Sequence, residues 1–416
     1  MKLLLLTEII APYRIPVFNA LAQEPQIDLH VIFLAETDPA SRQWHVYKSE
    51  IQFGYEVLPS WRTKLGSYKV LLNHRLSQAF DRAAPDVVLC GGYNYLASWQ
   101  AQRWAKRRKS PFLLWSESTT ADQRSLNFVI ESLKKSFFSR CDGFVVPGTS
   151  AKKYAQQMGA PADSIFVAPN AVDNALFSFN AAAARGDDQL RESLGLPPRY
   201  FLYVGRLVKS KGVFELLQAY ASLSEDLRSE IGLVIVGDGP VRAELQTFAS
   251  TVSTGTVHFS GFVHREKLAA CYALAECFVF PTHTDTWGLV VNEALACGLP
   301  VICSTVAGCA ADLVTEKNGA TVAPHRASDL ARVMQEIANS PDLRRRMSLQ
   351  SQEIIQNYSP ERCALGIAEA ALAMCRSSAA TTHSICSTPL CRGRLIRRFA
   401  PRESRAKRTS FGNRDA

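Results

Sequence analysis

The sequence predicts an α/β protein made of two doubly wound domains, each a parallel sheet covered by helices on both faces. Three observations predict it. Short, uninterrupted apolar runs alternate with helical stretches from one end of the chain to the other, and strands without polar alternation belong to sheets buried on both faces. The runs fall into two series of five or six. Between them lies a polar, Ala-rich stretch, NAVDNALFSFNAAAARGDDQLRESLGLPPRY, residues 170–200, closed by Pro-Pro. A chain of 416 residues is long enough for two separate cores.

The elements follow in order. The opening MKLLLLTEIIAPYR has only four leucines before Thr7 and Glu8, too short for the core of a signal peptide, and reads as a first buried strand. FNALAQE then spaces its apolar residues as a helix does. DLHVIFLA, DVVLCGG, PFLLWSE, DGFVVPG and SIFVAPN continue the first series of strands. The second series is YFLYVGR, IGLVIVGDG, TVHFSG, ECFVFPT and LPVICST, with helical patterns in FELLQAYASL, VRAELQTFA and DLARVMQEIA. The expected bounds are 1–170 for the first domain, 171–198 for a linker and 199–358 for the second domain. A C-terminal helix at 359–375 packs back toward the first domain, and a basic disordered tail covers 376–416.

Composition is that of a globular protein, 47% hydrophobic and 20% charged. No apolar run approaches the roughly 20 residues that span a bilayer. The eleven cysteines are odd in number and include no C-x-x-C pair. Cys297, Cys303 and Cys309 recur every six residues without a histidine at metal-ligand spacing, so reduced, mostly buried thiols are expected rather than zinc or disulfides. Of the net charge of +9, +8 falls from Arg376 onward. This basic segment has no clear period and suits either an anionic surface or a solvated extension without a partner.

In open parallel sheets ligands sit beyond the carboxyl ends of the strands. Two facing sheets therefore place the active site in the cleft between them. YVGRLVKSKGVFELLQAY puts Arg206 and Lys211 at such a strand end, beside a helix start. Two fixed cations there suit a polyphosphate. LVIVGDGPVRAEL is G-x-G-P, a tight strand-to-helix turn, and not a dinucleotide fingerprint. HFSGFV offers backbone groups and an apolar surface to a base.

HTDTWGLVVNEALACGLPVI carries most chemistry. Its helix should begin near Gly288 and end at Gly298, with Pro300 beyond. The first free amides, on Leu289 and Val290, point out of the amino end toward an anion. Gly288 lets a phosphate approach the backbone. Glu293 lies on the face of Leu289 one turn deeper, where a carboxylate can accept two hydrogen bonds from a ribose diol. Asp285, outside the helix, can accept hydrogen bonds from a second polyol. A diphosphate flanked by ribose and sugar is a nucleotide-sugar.

These residues resemble the family 4 glycosyltransferases, whose fold is GT-B, two facing Rossmann-like domains with a cleft between them. VGRLVKSKG, VGDGP, SGFV, TDTWGLVVNEALACGLPVI and NGATVAP carry the resemblance over residues 200–325, in the family's order. TEIIAPYRIPVFNALA, VPGTSAKKYAQQMG and VAPNAVDNALF agree with it in the first half. The resemblance implies retaining transfer of a sugar from a nucleotide-diphosphate donor, UDP- or GDP-linked, to an acceptor hydroxyl, with no tightly bound metal or cofactor. It implies that Arg206 and Lys211 hold the diphosphate, Leu289 and Val290 lend it amides, Glu293 holds the ribose and Val263 meets the base. Asp285 would contact the transferred sugar. The second domain would bind the donor and the first the acceptor.

Two departures stand out. The family's E-x7-E is D-x7-E here, one methylene shorter at Asp285. Where many relatives carry a histidine after PFLLWSE, this chain has Glu117, open between a sugar ligand, a proton acceptor and a structural hydrogen bond. Arg14, in the first strand-to-helix loop, faces the cleft in this reading and reaches for the diphosphate from the other side. RWAKRRKSP and WRTKLGSYK offer basic and aromatic residues, either to an anionic membrane bearing a lipid-linked acceptor or only to solvent. The expectation is thus a glycosyltransferase of polysaccharide or glycolipid synthesis. Its partners would be a nucleotide-sugar and a glycan or lipid-linked acceptor, with no nucleic acid. It would be cytoplasmic, with peripheral contact at the inner membrane face. The alternatives are a non-catalytic nucleotide-sugar binder and another enzyme of the same fold, such as an epimerase.

Overall fold

The computed structural model describes residues 1–386 except 39–44, 66–67, 123–127 and 253. Two all-parallel sheets lie within one compact unit, Met1–Cys375. The first sheet takes β1 (Lys2–Thr7), β2 (Asp28–Phe33) and β3 (Gly54–Val57). A separate antiparallel hairpin follows, β4 (Ser60–Leu65) and β5 (Tyr68–Asn73). The sheet resumes with β6 (Val87–Cys90), β7 (Phe112–Trp115), β8 (Gly143–Val146) and β9 (Ile165–Val167), in the order β3-β2-β1-β6-β7-β8-β9. The second sheet comprises β10 (Tyr200–Val204), β11 (Gly232–Val236), β12 (Val257–Gly261), β13 (Cys277–Phe280), β14 (Val301–Ser304) and β15 (Gly319–Val322). Its order is β12-β11-β10-β13-β14-β15.

In both sheets the order reverses beside the first strand of the series, which is where a doubly wound sheet opens its ligand crevice. The inner strands are buried on both faces because helices cover both, which explains their unbroken apolar runs. Each sheet carries one more strand than the apolar runs predict. β3 is the short edge sequence GYEV, and β15 is GATV; both are partly exposed and carry too little apolar surface to stand out.

The stretch read as a linker, 171–198, is largely helical. Helices run Asn174–Arg185 and Asp188–Ser193. Phe177, Ala181 and Ala184 form a stripe spaced by four and three that packs into the core with Tyr272, Val291 and Leu295. Alanines supply most of that stripe, so it lacks the contrast of a leucine-rich helix. Asp173 caps the first of these helices, its carboxylate accepting the Leu176 amide at 2.9 Å.

The chain returns through the helix Pro360–Cys386. Its residues Cys363, Ala364, Ile367, Ala368 and Ala371 pack against Leu3, Leu113, Trp115 and Val145 of the first sheet. Gly366 permits that approach, since a Cβ there would lie 2.4 Å from the Val167 carbonyl oxygen. The helix continues past Arg376, where the sequence reading begins a disordered tail. Ala379 and Ala380 favour helix, and an N-terminal part already held by the core removes the cost of nucleation. Residues 387–416 of that tail lie outside the described residues.

Candidate donor site between the sheets

The loop after β10 and the loop after β13 bring the second-domain charges together. Lys211 closes a single 3-10 turn, Lys209–Lys211. Its Nζ lies 2.5 Å from Asp285 Oδ2 and also donates to the Thr284 carbonyl at 3.3 Å. Both side chains are about one-fifth exposed. Asp285 is fixed from its other oxygen, which accepts the Trp287 amide at 3.2 Å. Its backbone bridges to Ala307, and its carbonyl accepts the Gly308 amide at 3.0 Å. The shorter acid is therefore held rigidly, with one oxygen on the backbone and one on Lys211.

The helix Leu289–Ala296 begins where the sequence places it. Gly288 caps it at φ +102°, a backbone conformation that favours glycine, and no side chain caps the helix start. The amides of Leu289 and Val290 thus remain available at the positive end of the helix. The ring of Phe280 joins these features. Lys211 Nζ lies 5.8 Å from its centroid, and a Cβ on Gly288 would lie 2.8 Å from its Cε1.

Glu293 lies one turn deeper and accepts the Tyr272 hydroxyl at 2.8 Å. Burial pushes its carboxyl up to about 7, against the Tyr272 hydrogen bond, which favours the ionised form. Arg206 is exposed and has no side-chain partner among the described residues. Its carbonyl accepts the hydroxyl of Tyr203 at 3.1 Å. Val263 is half-buried and lines a cavity of about 570 Å³ with Leu194, His258 and Phe262.

Of the roles open to Glu117, the structure shows a hydrogen bond to a neighbouring loop, and its partner is Arg14. They form an ion pair with each other, at the ends of neighbouring first-domain elements. Arg14 lies over the Trp115 ring at 4.1 Å and donates to Asn170 Oδ1 at 3.1 Å. Burial, the largest single influence, would lower the Arg14 pKa, but Glu117, Tyr13 and Cys363 together outweigh it and hold the guanidinium above its usual value. Both groups are thus engaged within the first domain.

Their link to the second domain runs through residues the sequence reading did not single out. The Asn170 carbonyl accepts Asn292 Nδ2 at 2.8 Å, and Asn292 Oδ1 accepts Trp287 Nε1 at 2.8 Å. Asn170 and Asn292 are buried. A continuous series therefore connects Glu117 and Arg14 to the helix beside Gly288. Asp312 adds a second bridge, accepting the Thr149 amide at 3.0 Å and its hydroxyl at 2.7 Å. Thr284 adds a third, donating to the Ala121 carbonyl at 3.1 Å. Asn170, Trp287 and Asn292 all stand inside the motifs VAPNAVD and TDTWGLVVNEA, but nothing local marks them as partners.

Near the first-domain surface, Trp104 of RWAKRRKSP is buried and donates to Asp81 at 3.0 Å. It is a core residue, leaving Arg103, Lys106 and Arg107 as an exposed basic face. Trp61, on the hairpin, is 59% exposed. No helix among the described residues is long and apolar enough to cross a membrane.

Two doubly wound parallel sheets, the second carrying Lys211, Asp285 and a helix start without a side-chain cap beyond its strand ends, define a protein of GT-B fold. Comparison with known proteins agrees. The family described as Glycosyltransferase Family 4 matches residues 19–176, and Glycosyl transferases group 1 matches 187–353. The chain belongs to this glycosyltransferase family. It is 31% identical over 210 residues to the D-inositol 3-phosphate glycosyltransferase of Thermomonospora curvata, covering 48% of this chain and 49% of that one. It is 41% identical over 123 residues to TuaC of Bacillus subtilis, a putative teichuronic acid biosynthesis glycosyltransferase, covering 29% of each. The match thus spans about half or less of these curated relatives. Among solved structures, Anabaena HepE in complex with UDP and glucose shares the fold at a TM-score of 0.70 and 18% identity, covering 89% of this chain and 98% of that one. WaaG, a glycosyltransferase involved in lipopolysaccharide biosynthesis, does so at 0.63 and 16%, covering 87% and 98%.

Proposed function

We propose that the chain transfers a sugar from a UDP- or GDP-linked donor to an acceptor hydroxyl with retention of configuration, in polysaccharide or glycolipid synthesis. The observation that carries this reading is the Lys211–Asp285 pair at the mouth of the uncapped helix start, with Glu293 one turn deeper. A diphosphate entering there meets Lys211, Arg206 and the Leu289 and Val290 amides. It competes with Asp285 for Lys211, and the freed carboxylate turns to hydroxyls of the transferred sugar. Glu293 accepts the ribose diol, and Val263 lies against the base.

In the reaction, the bond from the anomeric carbon to the diphosphate oxygen breaks and a bond to the acceptor oxygen forms on the same face. The electron pair leaves with the nucleoside diphosphate, and the acceptor proton passes to a departing phosphate oxygen. Cations and helix amides stabilise the growing charge more in the transition state than in the ground state. Arg14 and Glu117, joined to Asn170, position the first domain against the donor helix. The structural neighbour HepE, solved with UDP and glucose and with UDP-glucose, supports the donor class. The acceptor belongs to the first domain, and the basic face with Arg103, Lys106 and Arg107 suits a membrane bearing a lipid-linked acceptor on its cytoplasmic side.

A panel of UDP- and GDP-sugars, screened first by thermal shift and then for nucleoside diphosphate release with candidate acceptors, tests this reading. Release that requires both a donor and an acceptor is expected. Donor binding without turnover under every pairing would instead make the chain a nucleotide-sugar binder.

A further inference from the structure

Beside the donor site, three strand-end segments converge on a second group of side chains. Glu215 stands in the first turn of the helix Val213–Ala221. His283 follows β13, and its amide donates to the Ser210 carbonyl at 2.9 Å. His325 follows β15 in a left-handed backbone conformation, φ +60°. His283 Nε2 lies 3.1 Å from Glu215 Oε1, and His325 Nδ1 lies 3.3 Å from the same oxygen. The two imidazole rings lie against each other, with centroids 3.7 Å apart. One ligand atom from each of the three residues fits within 4.8 Å of the others.

We propose that Glu215, His283 and His325 bind one divalent transition metal ion of the zinc class, apart from the donor site. Ligand atoms bound tetrahedrally at about 2.0–2.1 Å lie roughly 3.3–3.4 Å apart, close to the spacings around Glu215. Two imidazoles and one carboxylate select zinc, copper or nickel over magnesium or calcium, which prefer oxygen alone. His283 Nε2 is buried and, among the described residues, has no aligned hydrogen-bond partner, although it lies 3.1 Å from the Glu215 carboxylate. A second observation lies alongside. Ser304 is 2% exposed, its hydroxyl has no hydrogen-bond partner among the described residues, and it lines the same small cavity as Glu215 and His325.

An ion here would tie together the segments that follow β10, β13 and β15. Lys211 lies four residues before Glu215, and Asp285 lies two residues after His283. The ion would thus fix the spacing of the pair that meets the donor without touching the donor itself.

The test uses the full chain, stripped with a chelator, desalted and titrated calorimetrically with zinc chloride and, separately, magnesium chloride. One zinc ion per chain is expected to bind with Kd near 10 μM or tighter, about 7 kcal/mol. Magnesium at millimolar concentration should give no saturable heat. His325→Gly should weaken zinc at least tenfold while leaving the metal-free melting temperature unchanged or raised, because glycine accepts the left-handed backbone. His283→Ala should weaken it similarly, which controls for any change confined to the exposed His325 loop. Absence of saturable zinc binding to the wild type, or a weakening below tenfold in both variants, overturns the proposal.

Discussion

Lys211 Nζ and Asp285 Oδ2 lie 2.5 Å apart at the mouth of the proposed donor site, and both belong to loops that leave the carboxyl ends of neighbouring strands. The pair neutralises two charges that a donor would need separately. Replacing either one changes the other, because the remaining charge is four-fifths buried and unpaired. Lys211→Ala is expected to lower kcat/KM at least tenfold, a loss of about 1.4 kcal/mol in transition-state stabilisation or more. Steady-state kinetics with the preferred donor measures it, and a wild-type rate would remove Lys211 from the donor site.

Asp285→Glu restores the side-chain length usual at this position. The added methylene must displace Lys211 or extend past it toward the sugar. The expected result is an altered order of preference among sugars on one nucleotide, with affinity for the free nucleoside diphosphate changed less than threefold. Competition assays across a donor panel report both quantities. An unchanged sugar order would mean that this carboxylate serves Lys211 alone.

Glu293 yields a pH prediction with a definite sign. Its carboxyl is raised by burial from the ordinary 4.5 to about 7. Between those values the folded protein keeps a proton that the unfolded chain has lost. The associated stability is complete below about pH 4.5 and is lost as pH rises through about 7. Glu293→Gln stays neutral throughout, so its melting temperature relative to wild type should rise between pH 5 and pH 8. The same variant should lower activity at least tenfold, since an amide accepts the ribose diol less strongly than a carboxylate. A melting difference independent of pH would show that Glu293 does not titrate in this range.

Gly288→Ala tests the helix start. A methyl there meets the Phe280 ring at 2.8 Å on a backbone at φ +102°. A cost of about 1–3 kcal/mol in stability is expected. Donor affinity should fall further than the melting temperature alone accounts for, because the amides move with the strained turn. Denaturant melts and donor titration on the same sample separate the two effects.

The interdomain series predicts coupling at a distance. Asn292→Ala leaves the Asn170 carbonyl and Trp287 Nε1 buried without their partner, at a cost of about 1–3 kcal/mol for each unpaired group. Asp312→Ala removes only the more exposed bridge to Thr149, worth about 1 kcal/mol as a helix cap. Thermal unfolding should therefore rank Asn292→Ala well below Asp312→Ala, with the latter near wild type. Equal melting temperatures would assign the buried amide series no share in holding the domains.

By itself the sequence determined the parts whose evidence is contiguous. The two strand series were legible because parallel strands buried on both faces must be apolar without interruption. The helix start at Gly288 was legible because one short motif sets glycine, helix and the spacing from Asp285 to Glu293, whereas Lys211 stands in a separate motif 74 residues from Asp285. The weak edge strands β3 and β15 and the alanine-striped helix Asn174–Arg185 were not, because their apolar contrast is low. Tertiary structure alone decided which charges meet. It joined Arg14 to Glu117, 103 residues apart, and Asn292 to Asn170, 122 residues apart, and it gathered Glu215, His283 and His325 from three strand ends. Spacing along a chain carries no record of such partners. Their approach is set by how two sheets and the crossing helix pack, and by the requirement that polar groups buried in that packing find one another.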